Sequence, residues 1–146
     1  MPPERKRQSV TLLGRSETRL PASPAEARLE TFPNPATRPY VVRLETADFT
    51  CLCPVTGQTD FAQVTIEYTP AKLCVETKSL KFYLASYRNT CAFNETVTNR
   101  ILDDFVAACA PRQAAVLAEF SARGGIALTV RAEYTASNTA PKRGPR

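Results

Sequence analysis

Apolar positions between residues 40 and 135 recur with two periods, and the period changes twice along the chain. "YVVRLETADFT" (40–50) is strand-like. In "AQVTIEY", Ala62, Val64, Ile66 and Tyr68 share one face while Gln63, Thr65 and Glu67 share the other, the signature of a half-buried strand. The spacing then turns helical. "SLKFYLASYRN" sets Leu80, Tyr83, Leu84 and Tyr87 on one stripe, and "NETVTNRILDDFVAACAP" does the same with Val97, Ile101, Phe105 and Ala108 before Pro111 ends the run. Period two returns with Val116, Ala118 and Phe120, then with Ile126, Leu128 and Val130, and "RGG" (123–125) between them supplies hairpin glycines. Strand–strand–helix–helix–strand–strand predicts an α+β fold, an antiparallel sheet with helices on one face. Such a sheet is too small to close as a barrel alone. Its edges must be covered, charged or paired with another chain, so extension of the sheet from subunit to subunit is expected.

The flanks divide the chain into three. Residues 1–38 carry six prolines and little periodicity, and read as an irregular Pro-rich arm. Residues 39–135 form the folded domain, and 136–146 a flexible basic tail. The net charge of +5 is concentrated in "PERKR" and "PKRGPR" at the two ends, which read as solvated tails, so no direct nucleic-acid partner is expected. Apolar residues at 43% and charged residues at 23% suit a globular protein, with no apolar run long enough to span a membrane. The N-terminus has positive charge but no apolar stretch behind it, unlike a secretory signal. Five cysteines without a spacing pattern point to reduced thiols in the cytoplasm. Only five glycines are present, and none forms a phosphate loop.

Candidate chemistry concentrates in "FTCLCPVTGQTDFAQ" (49–63). The chain has no histidine, so a Cys-His pair is impossible. Cys51-x-Cys53 also lacks the two-residue spacing of a zinc knuckle, and no metal site is expected. What remains is a thiol nucleophile at Cys53, in a loop with Pro54 and Gly57, with Asp60 as the nearest carboxyl proton partner. The plain alternative is a small, half-buried apolar residue.

Together with "VETKSLKFYLASYRN" (75–89), this stretch resembles the NADPH-dependent 7-cyano-7-deazaguanine reductases, the nitrile reductases of the queuosine pathway of tRNA modification. The resemblance rests on Glu76, Thr77, Lys78, Ser79, Leu80 and Lys81 followed by Phe82 and Tyr83. It extends through "VTLLGR" (10–15), "TFPN" (31–34), "FTCLCPVTGQTDFA" (49–62) and "FSARGGI" (120–126), in the family's order. It implies the tunnelling fold, whose subunits join edge to edge into rings that stack in pairs. Active sites then lie at subunit interfaces of a homo-oligomer of the short, single-module type.

The same resemblance implies roles. Cys53 would attack the nitrile and form a thioimidate, and Asp60 would carry the protons. Glu95, with Asn94, Val75, Glu76 and Thr77, would bind 7-cyano-7-deazaguanine. Lys78, Ser79, Lys81 and Arg123 would meet the phosphates of NADPH. Each has a plainer reading: Glu95 as a first-turn carboxylate, the lysines as a solvated helix face, Arg123 as part of a hairpin turn. One position departs from the family, which usually has histidine where this chain has Asn94. Asn94 hydrogen-bonds but carries no proton at neutral pH, and it also suits a helix N-cap. Cys74 and Cys109 read as core packing, while Cys51 and Cys91 have no assigned role. Two other readings stand beside the reductase. One is an amidino-type transferase that acts on the same nitrile without NADPH, against which the intact 76–81 run argues. The other is a catalytically weak deazapurine- or pterin-binding module.

Overall fold

The computed structural model describes residues 19–137; "VTLLGR", the first part of the arm and both basic ends lie outside the described residues. The elements are β1 (Thr31–Pro33), β2 (Val42–Leu52), β3 (Thr59–Thr69), β4 (Leu73–Val75), α1 (Thr77–Ala85), a 3-10 turn (Ser86–Asn89), α2 (Asn94–Cys109), β5 (Gln113–Arg123) and β6 (Ile126–Thr135). The four long strands form one antiparallel sheet in the order β2-β3-β5-β6. β3 and β5 are neighbours, so the helical pair is an excursion that leaves the sheet and returns beside its point of departure.

The alternation in β3 explains which face the helices cover. Ala62, Val64, Ile66 and Tyr68 are buried, and their partners on β5 (Phe120, Ala118, Val116 and Ala114) are buried with them. Leu80, Tyr83, Tyr87, Val97, Ile101, Leu102, Phe105 and Cys109 from the helical segment complete this single core. The opposite face is polar. There Arg43 on β2 pairs with Glu67 on β3 (Nη1–Oε1 2.8 Å), an exposed ion pair worth little by itself.

Three details differ from the sequence reading. A strand, β1, forms inside the stretch read as irregular, because Thr31–Pro33 pairs antiparallel with Leu73–Val75. Ala108 lies at the margin of the helix stripe, and Cys109 takes the buried position. Ile126 is 73% exposed, at the hairpin end of the edge strand β6.

The "TFPN" run is structural in this fold. Thr31–Pro33 is β1 itself, and Asn34 closes it against the turn before β4. Its Nδ2 donates to the Ala71 carbonyl (2.9 Å), and its Oδ1 accepts from the Tyr40 hydroxyl (2.6 Å).

Tyr68 ties this small pair of strands to the large sheet. Its ring stacks edge-on against Phe105 (centroids 4.8 Å apart), and its hydroxyl accepts the Val75 N–H at 3.0 Å. Burial, the main cause, pushes the phenol up to about 12, so it stays protonated. Replacing Tyr68 by Phe leaves a buried N–H without its acceptor and should cost about 1–3 kcal/mol. Urea unfolding checks this: a lowered midpoint at constant m is the expected outcome, and an unchanged midpoint would mean that Val75 finds another acceptor.

Candidate active site

The loop after β2 closes on itself around Cys53. The ladder runs one residue past the strand, with the Cys53 N–H donating to the Gln58 carbonyl (2.8 Å) and the Gly57 N–H donating back to the Cys53 carbonyl (2.9 Å). Gly57 closes the turn at φ 68°, a left-handed conformation that favours glycine. The same turn carries Val55 and Thr56, and the Thr56 hydroxyl accepts the Gln58 N–H (3.3 Å). Hydrogen bonds from the Thr56 hydroxyl, then from the Thr56 and Val55 N–H groups, lower the Cys53 thiol below its ordinary value. Partial burial and the charge of Asp60 oppose this without reversing it. The sequence reading did not name Thr56; its signal was "CPVTG", where a proline and a glycine around a short turn bring a hydroxyl back toward the cysteine.

Cys51 is the opposite case. It is fully buried, and burial, followed by the charge of Asp60, pushes its thiol up to about 11. It is a packing residue, whereas the surroundings of Cys53 favour its ionised form.

Asp60 is the second residue of β3 and lies directly across from Cys51. With a period of two, Cys53 and Asp60 therefore sit diagonally on one face. The Asp60 side chain is 11% exposed, and its Oδ1 lies 3.0 Å from Arg123 Nε.

The start of α2 is brought to the same place by Leu52. Its N–H donates to the Thr90 carbonyl (2.9 Å) and its carbonyl accepts the Ala92 N–H (3.2 Å), forming a parallel bridge to exposed Cys91. The chain then enters α2 beside the Cys53 loop. Phe93, not Asn94, holds the N-cap position, and the Asn94 side chain caps nothing, so the plainer reading of Asn94 as a cap does not hold. Its Oδ1 is buried and accepts no hydrogen bond among the described residues. Leaving such an acceptor unpaired costs about 1–3 kcal/mol, so a donor from outside is favoured there. Glu95 is exposed in the first turn of α2.

The remaining candidates form a second group. Glu76 is the N-cap of α1: Oε1 accepts the Lys78 N–H and Oε2 the Ser79 N–H, both at 2.7 Å. These bonds, that of Lys78 first, hold its carboxyl below the usual carboxylate range. Ser79 is buried; its hydroxyl donates to the Glu76 carbonyl (2.7 Å) and accepts the Glu30 N–H (2.9 Å), clasping the arm. Thr77, Lys78 and Lys81 are exposed. Thr77 and Lys81 edge an apolar cavity of about 360 Å³ over Phe49 and Val64, and Lys78 lines another of about 340 Å³ with Arg19 and Arg28. Val75 hangs from Tyr68, and Tyr68 lies roughly 26 Å from Asp60 along β3 at ~3.3 Å per residue. One chain thus holds Cys53, Asp60, Arg123, Asn94 and Glu95 around one end of β3, and Val75 and Glu76 beside the other.

The QueF-like protein family matches residues 59–139. The NADPH-dependent 7-cyano-7-deazaguanine reductase of Nitrosococcus oceani is 54% identical over 116 residues, covering 79% of this chain and 89% of that protein. The chain belongs to the NADPH-dependent 7-cyano-7-deazaguanine reductase family. A reductase of that name from Syntrophus aciditrophicus is 55% identical over 126 residues, 86% of each chain. Among solved structures, the archaeosine synthase QueF-Like in the apo form superposes with a TM-score of 0.64 at 27% identity, over 69% of this chain and 99% of that one. The family likeness therefore spans both groups of candidate residues, although one chain keeps them apart.

The Cys53 pocket makes a testable claim about this reductase. The rate of Cys53 alkylation should reach its midpoint below the ~8.5 of an ordinary thiol. Thr56→Val removes the strongest donor and should move that midpoint upward, while Thr56→Ser should leave it in place. Peptide mass mapping keeps exposed Cys91 out of the measurement. A Thr56→Val profile that overlays the wild type would show that the hydroxyl does not act on the sulfur.

Proposed function

We propose that the chain reduces the nitrile of 7-cyano-7-deazaguanine to the aminomethyl group in queuosine biosynthesis, through a thioimidate on Cys53, in sites completed by a second copy of the chain. The observation that carries this reading is the separation of the candidate residues. Cys53 and Asp60 stand with Asn94 and Glu95 at one end of β3, Val75 and Glu76 stand beside the other, and Thr77 and Lys81 edge the cavity over Phe49 and Val64 between them. A neighbouring subunit that presents its own Val75–Lys81 segment to the Cys53 end joins the two.

In the first step the Cys53 sulfur bonds to the nitrile carbon as one carbon–nitrogen π bond opens. The thiol proton passes through Asp60 to the nitrogen, so the sum is addition of S–H across C≡N. Asn94 Oδ1, buried and unpaired among the described residues, accepts an N–H from the base. The Glu95 carboxylate accepts the paired donors of the guanine-like edge. Lys78 and Lys81, exposed and without ion pairs among the described residues, fit the phosphates of NADPH, which when bound supplies the hydride of each reduction. After the first reduction the Cys53 sulfur leaves, and Asp60 serves the later proton transfers. The closed interface keeps water from the imine.

The partner is another copy of the chain. β2 and β6 each have a neighbour on one side only among the long strands, and Val41 and Ile126 are exposed there at 65% and 73%. Pairing such edges between subunits gives the tunnelling fold and a ring, and stacked rings bring further surfaces together. No described helix is long and apolar enough to cross a membrane. We place the reaction in the cytoplasm, where the five free cysteines stay reduced. The transferase reading needs Cys53 and Asp60 alone and leaves Lys78 and Lys81 without a use.

Subunit complementation tests the shared site. Cys53→Ala should form no adduct with the cyano base by intact mass, and should not turn over. Lys78→Ala/Lys81→Ala should form the adduct but fail with NADPH. Co-expressed at equal levels, the two inactive chains should recover about a quarter of wild-type activity, the share of interfaces with both parts intact. No recovery in a mixed oligomer would place each site within one chain, and an adduct on Cys51 would refute the nucleophile.

A further inference from the structure

Arg123 is the last residue of β5, where the β5–β6 hairpin turns through Gly124 and Gly125, both left-handed (φ 56° and 79°). The β5–β6 register shifts between Phe120 and Arg123, and such a shift re-aims the side chains beyond it. The regular β3–β5 pairing ends at Ala62 and Phe120, so Arg123 projects over the first residues of β3. There each of its three nitrogens is engaged. Nε lies 3.0 Å from Asp60 Oδ1, Nη1 donates to Gln58 Oε1 (3.1 Å), and Nη2 donates to the Thr59 carbonyl (2.6 Å). One guanidinium holds three consecutive residues, and the first of them, Gln58, also accepts the Cys53 N–H (2.8 Å).

We propose that Arg123 is a positioning residue for nitrile addition, fixing the Asp60 carboxylate relative to the Cys53 sulfur, rather than a contact to the cofactor phosphates. A guanidinium suits this task because its planar fork directs several donors at fixed angles; an ammonium is a point charge on a flexible stem. These contacts take three of its five N–H donors and leave one hydrogen on each terminal nitrogen. Asp60 must take the thiol proton and return it to the nitrile nitrogen, and both transfers need the carboxylate within hydrogen-bond reach. With its orientation fixed from β5, Asp60 needs no rearrangement when the base arrives. The inference rests on Asp60 as the proton carrier of the proposed reaction.

The experiment compares wild type, Asp60→Asn, Arg123→Gln and Arg123→Lys as full-length proteins, with three readouts. These are the rate of adduct formation with the cyano base in the absence of NADPH, the rate of Cys53 alkylation by iodoacetamide, and kcat and KM for NADPH at low and high salt. Alkylation needs the thiolate but no proton donor, so it reports the integrity of the Cys53 loop. Arg123→Gln should slow the adduct at least about tenfold, within the ~10²–10⁴ that a positioned proton donor is worth. Alkylation should stay within about twofold, and KM for NADPH should keep its wild-type value and salt dependence. Arg123→Lys should restore part of the adduct rate. The inference is overturned if Arg123→Gln forms the adduct at the wild-type rate while KM for NADPH rises in a salt-dependent way, since Arg123 is then a phosphate contact. It is overturned also if alkylation slows as much as the adduct, or if Arg123→Gln does not fold, since Arg123 then serves the fold. Asp60→Asn separates the two levels. If it forms the adduct at the wild-type rate, the proton-carrier reading itself fails; if it is slow and Arg123→Gln is not, only the role of Arg123 fails.

Discussion

Two backbone hydrogen bonds of Leu52 hold the candidate site together. β2 is an edge strand, so the outward groups of its last residue are left without a strand partner, and residues 90–92 take them up. That bond pair satisfies the sheet edge at this point, where exposed groups would otherwise invite unwanted pairing. It also sets the start of α2 beside the loop that follows β2. Cys53 leaves Leu52 in one direction while Asn94 and Glu95 follow Ala92 in another. Without the bridge, Cys53 and the residues proposed to grip the base would belong to unconnected parts of the surface.

The choice between two cysteines two residues apart follows from the same strand end. Cys51 is still inside the ladder and fully buried, so its thiol is pushed up to about 11 and stays protonated. Cys53 is just outside, where the chain turns and N–H groups point inward at the sulfur, favouring the thiolate. Asp60, opposite Cys51, faces both. Its charge opposes ionisation of both thiols.

Much of this was legible in the sequence. The change of hydrophobic period gave the order of the long strands and helices because each element is long enough to repeat its pattern. β1 and β4 were not legible, because three residues cannot show a period and neither strand exists without the other. Asn94 looked like a cap by residue type, but the backbone places the cap at Phe93 and leaves the Asn94 acceptor buried instead. The donors of Thr56 and the reach of Arg123 across the sheet were beyond pattern reading, since both depend on how a turn and a strand end are aimed. The Glu76–Lys81 run carried the family resemblance, and its first function in the structure is local: Glu76 and Ser79 start α1 and clasp the arm at Glu30.

The central claim is that a chain with no histidine carries a nitrile to an amine through Cys53 and Asp60, drawing hydride from NADPH. The most direct measurement mixes the protein with a limiting amount of 7-cyano-7-deazaguanine and excess NADPH, follows loss of the reduced-nicotinamide absorbance, and identifies the product by mass. Reduction of a nitrile to an amine takes four electrons, so two equivalents of NADPH should disappear for each base, with the aminomethyl product formed. Formation of the Cys53 adduct without consumption of NADPH, discharged only when an amine is supplied, would contradict the claim and identify the chain as a transferase.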